Sequence, residues 1–199
     1  MTGGALTVER VQGAAIERHL PALGALRIAV FREFPYLYDG TLDYEQRYLA
    51  TYAASPAAVI VVARDGERVV GAATAMPLAA HADDVAPALV AAGYDPARVC
   101  YFGESVLDRA YRGRGIGNAF FVEREAHARA IAAEVAAFCA VVRGDDHPRR
   151  PAGYRPLDPL WTKHGFVRRP EITTTFSWRD LDETAESAKP MVFWTKELA

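Results

Sequence analysis

The chain has 199 residues, 51% of them hydrophobic, with 23 Lys and Arg against 25 Asp and Glu for a net charge of −2. That length suits one domain able to bury a substantial core, and no apolar run approaches the roughly 20 residues that a membrane span requires. The balanced charge excludes a chain built as a whole for nucleic acid or another polyanion and leaves only a local basic patch to explain.

In chain order, residues 1–10 lack the basic segment and apolar core of a secretory signal, so a cytoplasmic location is expected. A short strand is predicted over 6–11. Over residues 20–34, Leu23, Leu26, Arg27, Val30, Phe31 and Phe34 recur near helical spacing, and Pro35 ends that helix. The aromatic loop Phe34-Pro-Tyr-Leu-Tyr-Asp-Gly40 follows. Thr41 or Asp43 then caps a second helix to about Ala54, with Pro56 stopping it. Stretches 57–63 and 68–76 form a hairpin about Asp65-Gly66, the strongest turn signal in the chain.

Residues 77–97 are an alanine-rich insert with Asp83, Asp84 and room for one short helix. A strand over 99–107 feeds a glycine-rich turn, and a helix runs from that turn to about Ala133. Its predicted inner face carries Ile116, Ala119, Phe120, Glu123, His127, Ala130 and Ile131. Residues 134–142 are continuously apolar, as a central strand should be. A polar, proline-rich loop over 143–156 leads to a short helix over 159–164, and segments 166–169, 172–178 and 191–196 supply the last strands. The two cysteines, Cys100 and Cys139, lie in apolar strands, so buried reduced thiols are expected rather than a disulfide.

The most informative stretch is Tyr101-Phe-Gly-Glu-Ser-Val-Leu-Asp-Arg-Ala-Tyr-Arg-Gly-Arg-Gly-Ile-Gly117, an apolar strand running through a tight turn into a patterned helix. Such a turn aims free backbone N–H groups and the positive end of a helix dipole at one point, a seat for a phosphate or pyrophosphate. Gly113, Gly115 and Gly117 allow close approach, and Arg112 and Arg114 add positive charge. A plain glycine-rich turn with solvated arginines is the alternative. Spacing removes two nucleotide motifs: a P-loop needs Lys-Ser/Thr where Asn118-Ala119 stand, and a Rossmann turn needs a third small residue at position 118.

The remaining pattern, Arg112, Gly115 and Gly117 after Tyr111, resembles the acetyl-CoA signature of the GNAT N-acetyltransferase superfamily, close to V-x-P-x-Y-R-G-x-G-I-G. Arg109 stands in place of the common proline. A second segment, Leu160-Trp-Thr-Lys-His-Gly-Phe166, resembles the superfamily's F-Y-E-K-L-G-F, with Trp161 where many members carry a tyrosine acting as general acid. The order of elements also matches. The resemblance therefore implies a mixed α/β GNAT fold over 1–199, a mostly antiparallel sheet of about six to seven strands flanked by helices. It implies acetyl-CoA as co-substrate with no metal, and an acceptor amine of a small molecule or peptide. Neither nucleic acid nor membrane is an expected partner, and a homodimer is possible.

Acyl transfer to an amine needs a base, because an ammonium has no lone pair, and the leaving thiolate benefits from an acid. Glu104, a carboxylate inside an otherwise apolar strand, is the candidate base; a solvent-facing position or a structural ion pair with an arginine is its alternative. Tyr154 is the candidate acid, with simple packing as its alternative. From the resemblance, main-chain groups around Val106 and Leu107 contact the acyl group. His147, beside Asp145 and Asp146, reads as a solvated loop residue without metal-ligand spacing, and Asp158 as a helix cap. Phe34, Tyr36 and Tyr38 are the candidate acceptor wall, or a hydrophobic staple for their loop. An N-acetyltransferase of small amines leads, ahead of a peptide or protein acetyltransferase and a non-catalytic acyl-CoA-binding module.

Overall fold

The computed structural model describes residues 5–80 and 85–198. The residues at the extreme N-terminus and the Asp83-Asp84 pair lie outside them. Strands β1 (Leu6–Gln12), β2 (Val59–Asp65), β3 (Arg68–Pro77), β4 (Val99–Leu107), β5 (Val135–Val141), β6 (Val167–Trp178) and β7 (Ser187–Glu197) form one seven-stranded sheet in the order β1-β2-β3-β4-β5-β7-β6. Every neighbouring pair is antiparallel except β4 and β5, which are parallel. The helices are α1 (Leu20–Phe31), α2 (Leu42–Ala54), α3 (Ala86–Ala91), α4 (Ile116–Ala130) and α5 (Asp158–Lys163). Thr41 caps α2, its hydroxyl accepting from Tyr44 N–H at 3.4 Å.

Helices α1 and α2 bury Leu23, Leu49 and Tyr52 against Ile60, Val62, Ala72 and Val106 on one face of the sheet. Helix α4 covers the opposite face through Ile116 and Phe120 near β2 and β3, and through Phe121 near Phe102, Phe138 and Phe166. Its inner surface is therefore wider than a single stripe. Phe121, Arg124, Glu125 and Ala128 are buried, whereas Ala130 is exposed, because α4 touches both the sheet and the α5 segment beside it. The expected strands at 166–169 and 172–178 are one strand, β6. Both halves pair with β7, and a register shift between Arg169 and Thr173 absorbs Pro170, which has no N–H to give to the ladder. Asp158 is the first residue of α5 rather than its cap; Leu157 holds the cap position.

Two irregularities prepare the centre of the sheet. Strand β4 bulges against β3, since Ala73 faces Ser105 and Ala75 faces Phe102, so Thr74 opposes both Gly103 and Glu104. The extra residue directs Glu104 to the α1/α2 side, whereas strict alternation from Phe102 would leave it on the α4 side. Gly103 is the residue that fits, because a Cβ there would lie 2.1 Å from the Tyr52 hydroxyl and 2.5 Å from Thr74 Oγ1. The second irregularity is a splay: β4 and β5 pair only from Val99 with Val135 to Tyr101 with Ala137, then separate.

Candidate active site

The glycine-rich turn is held by side chains that precede it. Asp108 accepts from Ala110 N–H at 3.0 Å and pairs with Arg68 at 2.7 Å, and the Tyr111 hydroxyl donates to Asp65 at 2.7 Å. The turn is thereby fastened to the β2–β3 hairpin. Gly113 and Gly115 adopt φ of 78° and 84°, the left-handed region that favours glycine. Gly115 is the N-cap of α4 and brings no side chain, so the first N–H groups of the helix have no partner within it. A Cβ at Gly113 or Gly115 would meet nothing within 4 Å, and one at Gly117 would meet only Leu160 Cδ2 at 3.8 Å. The space over the turn is open. Arg112 is already engaged, with Nη1 2.8 Å from Glu33 and Nε donating to the Leu107 carbonyl at 3.3 Å, while the Arg114 guanidinium lies 4.9 Å from the Tyr111 ring centroid.

Where β4 and β5 separate there is a cavity of about 460 Å³. Phe102, Phe121, Arg124 and Trp161 line it from the α4 side, and Phe31, Phe34, Tyr36 and Glu104 from the α1/α2 side. Tyr154, from the loop after β5, also lines it, with its ring edge-on to Phe34 at 4.7 Å. Burial pushes the Tyr154 phenol pKa up and nearby Asp158 adds to this, so it stays protonated at neutral pH.

Glu104 is 4% exposed. Its Oε2 accepts from Arg27 Nη1 at 2.6 Å and from the Tyr48 hydroxyl at 3.1 Å, while its backbone N–H donates to Thr74 Oγ1 at 3.2 Å. The other oxygen, Oε1, is buried without a hydrogen bond. Arg27 also bonds to Glu45, so one guanidinium serves two buried carboxylates. Burial raises the Glu104 pKa; Arg27, Tyr48 and Thr74 pull it down without cancelling that effect, and Glu45 adds to the rise. For Arg27, burial alone would lower the pKa, but Glu104, Tyr48 and Glu45 raise it above its ordinary value.

The structure thus brings Glu104, Tyr154, Phe34 and Tyr36 to one cavity. Tyr38 is elsewhere, in a second concavity with Tyr44 and Trp178, bridged to Asp180. Val106 packs its side chain under α1 and α2, and Leu107 packs beside Ile116 and Phe120, so neither side chain lines the cavity. His147 stands behind Phe34 at 5.6 Å between ring centroids, its Nδ1 accepting from Arg149 N–H at 3.2 Å. Cys100 and Cys139 are both buried and free, and burial pushes each thiol up to about 12.

Sequence reasoning misses five groups. Arg27 lies in an apolar helical row, where a charge in phase with leucines is itself a signal of a buried partner. Glu45 and Tyr48 complete that network, and Arg124 borders the cavity from α4. Arg143 was also unremarked; it donates to the Pro35 carbonyl at 2.8 Å and the Tyr36 carbonyl at 2.9 Å and pairs with Asp180 at 2.8 Å, fixing the aromatic loop to the end of β5.

The sequence model of the Acetyltransferase (GNAT) family matches residues 25–166. The chain belongs to this family. Among curated proteins none matches significantly. Solved structures share the fold of this acetyltransferase at low identity. The Salmonella typhimurium protein yncA, solved with its cofactor acetyl-CoA, is 13% identical with a TM-score of 0.64, covering 98% of this chain and 95% of its own. A ribosomal-protein-alanine N-acetyltransferase from Brucella melitensis is 17% identical with a TM-score of 0.63, covering 96% and 99%. An N-acetyltransferase from Staphylococcus aureus Mu50 is 16% identical with a TM-score of 0.62, covering 98% and 100%. No helix among the described residues is long and apolar enough to cross a membrane.

Proposed function

We propose that this GNAT acetyltransferase moves an acetyl group from acetyl-CoA directly to the primary amine of a small molecule, with Glu104 as general base. The observation that carries the reading is Glu104, a buried carboxylate that lines the cavity where two strands part and whose Oε1 has no hydrogen-bond partner among the described residues. Its neighbour Oε2 is held by Arg27 and Tyr48, which fixes the group while leaving Oε1 able to take a proton. The raised pKa favours that task, because a stronger base accepts the proton of an ammonium more readily.

The residues present fit acetyl-CoA as co-substrate. Left-handed glycines, an uncapped helix start and open space above the turn suit a pyrophosphate at Arg112, Gly113, Arg114, Gly115, Ile116 and Gly117. Arg112 would exchange its exposed contact with Glu33 for the anion. The edge of β4 near Val106 and Leu107, turned away from β3 and not paired to β5, offers main-chain groups to the arm and the acyl carbonyl. The thioester supplies an activated acyl group and a leaving thiolate. In this reading Tyr154, which lines the cavity and stays protonated at neutral pH, gives that thiolate a proton. Phe34 and Tyr36 form an aromatic wall on the acceptor side, and a cavity of about 460 Å³ suits a small amine.

The test is thiol release from acetyl-CoA in the presence of amines graded from small molecules to peptides. Release driven by small primary amines is expected. Acceptance of peptides alone would transfer the reading to a peptide or protein amine, and no release with any amine would leave an acyl-CoA-binding module.

A further inference from the structure

The cavity contains a cation that the fold does not neutralise. Arg124, on α4, is 2% exposed. Its Nε donates to the Phe120 carbonyl one turn back at 3.2 Å, and its guanidinium carbon lies 4.4 Å from the Phe102 ring centroid and 4.9 Å from that of Phe121. Two cation–π contacts and one hydrogen bond thus hold the group. Among the described residues the four N–H donors on its two Nη atoms find no hydrogen-bond acceptor, and no carboxylate forms an ion pair with it. The other cations lining the cavity differ: Arg143 pairs with Asp180 and Arg150 with Asp145, and Arg168, which has no ion pair among the described residues, is exposed.

The nearest acids are committed elsewhere. Glu125, next along α4, pairs with Lys196 and Arg129. Glu104 attracts Arg124 through space but gives its Oε2 to Arg27 and Tyr48. Burial pushes the Arg124 pKa down to about 10, which leaves it positive at neutral pH. Its unused donors are not walled in by packed protein: Arg124 lines the cavity, and a planar guanidinium fork matches a carboxylate through two parallel hydrogen bonds.

We infer that Arg124 receives a carboxylate carried by one of the two reactants. Its position favours the acyl donor: it lies eight residues into α4, about 12 Å along the helix from the turn proposed to seat the pyrophosphate, beside the point where β4 and β5 part. If the donor brings the carboxylate, a dicarboxylic acyl thioester replaces acetyl-CoA as the preferred donor; if the acceptor brings it, acetyl-CoA stays the donor and the amine is an acidic one. The inference rests on the acyl-CoA reading of the site.

The experiment compares wild type with Arg124→Met and Arg124→Lys. In the donor arm, kcat/KM is measured for succinyl-CoA, acetyl-CoA and butyryl-CoA. In the acceptor arm it is measured for an amine and the matching amino acid. In one arm the wild type should favour the carboxylate-bearing partner by about 10- to 100-fold, the effect of one charge-assisted contact. The ratio should fall to near one in Arg124→Met and in part in Arg124→Lys. Absence of a preference in both arms of the wild type overturns the inference, with no variant needed. Equal losses on charged and neutral partners in a variant whose melting shows it folded overturn it too, since they would mark a group acting on the thioester carbonyl. Calorimetry with free CoA separates the two readings: a wild type that binds CoA but shows no preference refutes only the role of Arg124, and one that does not bind CoA refutes both.

Discussion

Arg27 on α1 holds Glu104 on β4 at 2.6 Å, across 77 positions of sequence, and the same guanidinium holds Glu45 on α2. One cation is thus shared by two buried carboxylates from different elements. This ties the first two helices to the bulged strand, and burial, which the shared cation does not fully offset, leaves Glu104 the more easily protonated.

Replacing Glu104 with Gln should lower turnover by about 10²–10⁴ while CoA affinity, measured by calorimetry, is kept. In the wild type kcat/KM should rise with pH, since the base must lose its proton first, and the midpoint should lie above the ordinary carboxylate range near about 4.3. That limb should vanish in Glu104→Gln. The sign for folding is opposite: a carboxyl whose folded pKa is raised adds stability that is complete below its unfolded value and is lost as pH rises through the folded one. A Glu104→Gln enzyme with wild-type turnover at every pH would move the base elsewhere, and His147 would be tested next.

Arg27→Met removes the only ion-pair partner that two buried acids have among the described residues and should destabilise the fold by about 3–5 kcal/mol in urea denaturation. The double variant Arg27→Met with Glu45→Gln should recover part of the loss. A loss below about 1 kcal/mol for Arg27→Met would show that water reaches the network.

Gly117→Val should abolish CoA binding and leave the protein folded. Gly117 lies in the first turn of α4 with nothing nearer to a new Cβ than Leu160 Cδ2 at 3.8 Å, so the fold accommodates the side chain and only a ligand seated on the turn would meet it. Calorimetry on a variant with an unchanged melting temperature decides the matter, and retained affinity places the pyrophosphate elsewhere.

No acetyl-cysteine should form during turnover. Burial pushes both thiols up to about 12, so thiolate is scarce near neutral pH, although Cys139 borders the cavity. Mass spectrometry after rapid quenching with acetyl-CoA should find neither Cys100 nor Cys139 acetylated, and Cys139→Ala should turn over.

Tyr154→Phe should reduce turnover less than Glu104→Gln, because a thiolate is a tolerable leaving group without protonation. Stopped-time assays of both variants at one pH make the comparison, and a larger loss for Tyr154→Phe would reverse the order of importance.

Local rules were enough for much of this molecule. The hairpin at Asp65-Gly66, the Thr41 cap, the strand over 99–107 and the glycine-rich turn each depend on residues within a few positions of one another, so sequence alone placed them. Glu104 could be singled out too, because a charge in an apolar strand is anomalous wherever the strand packs. Its surroundings could not. The bulge that turns it to the α1/α2 side depends on Thr74 and on Tyr52 pressing against Gly103, and its partners come from two helices distant in sequence. Tyr38 shows the same limit: it shares a loop with Phe34 and Tyr36, yet its bridge to Asp180 carries it into another concavity. Arg124 gives no such signal, being one more polar residue on a patterned helix. Only the packing of α4 against both Phe102 and the α5 segment, with the parting of β4 from β5, decided that it would be buried, unpaired and facing a cavity, because burial and ion pairing are set by what other elements bring near a residue.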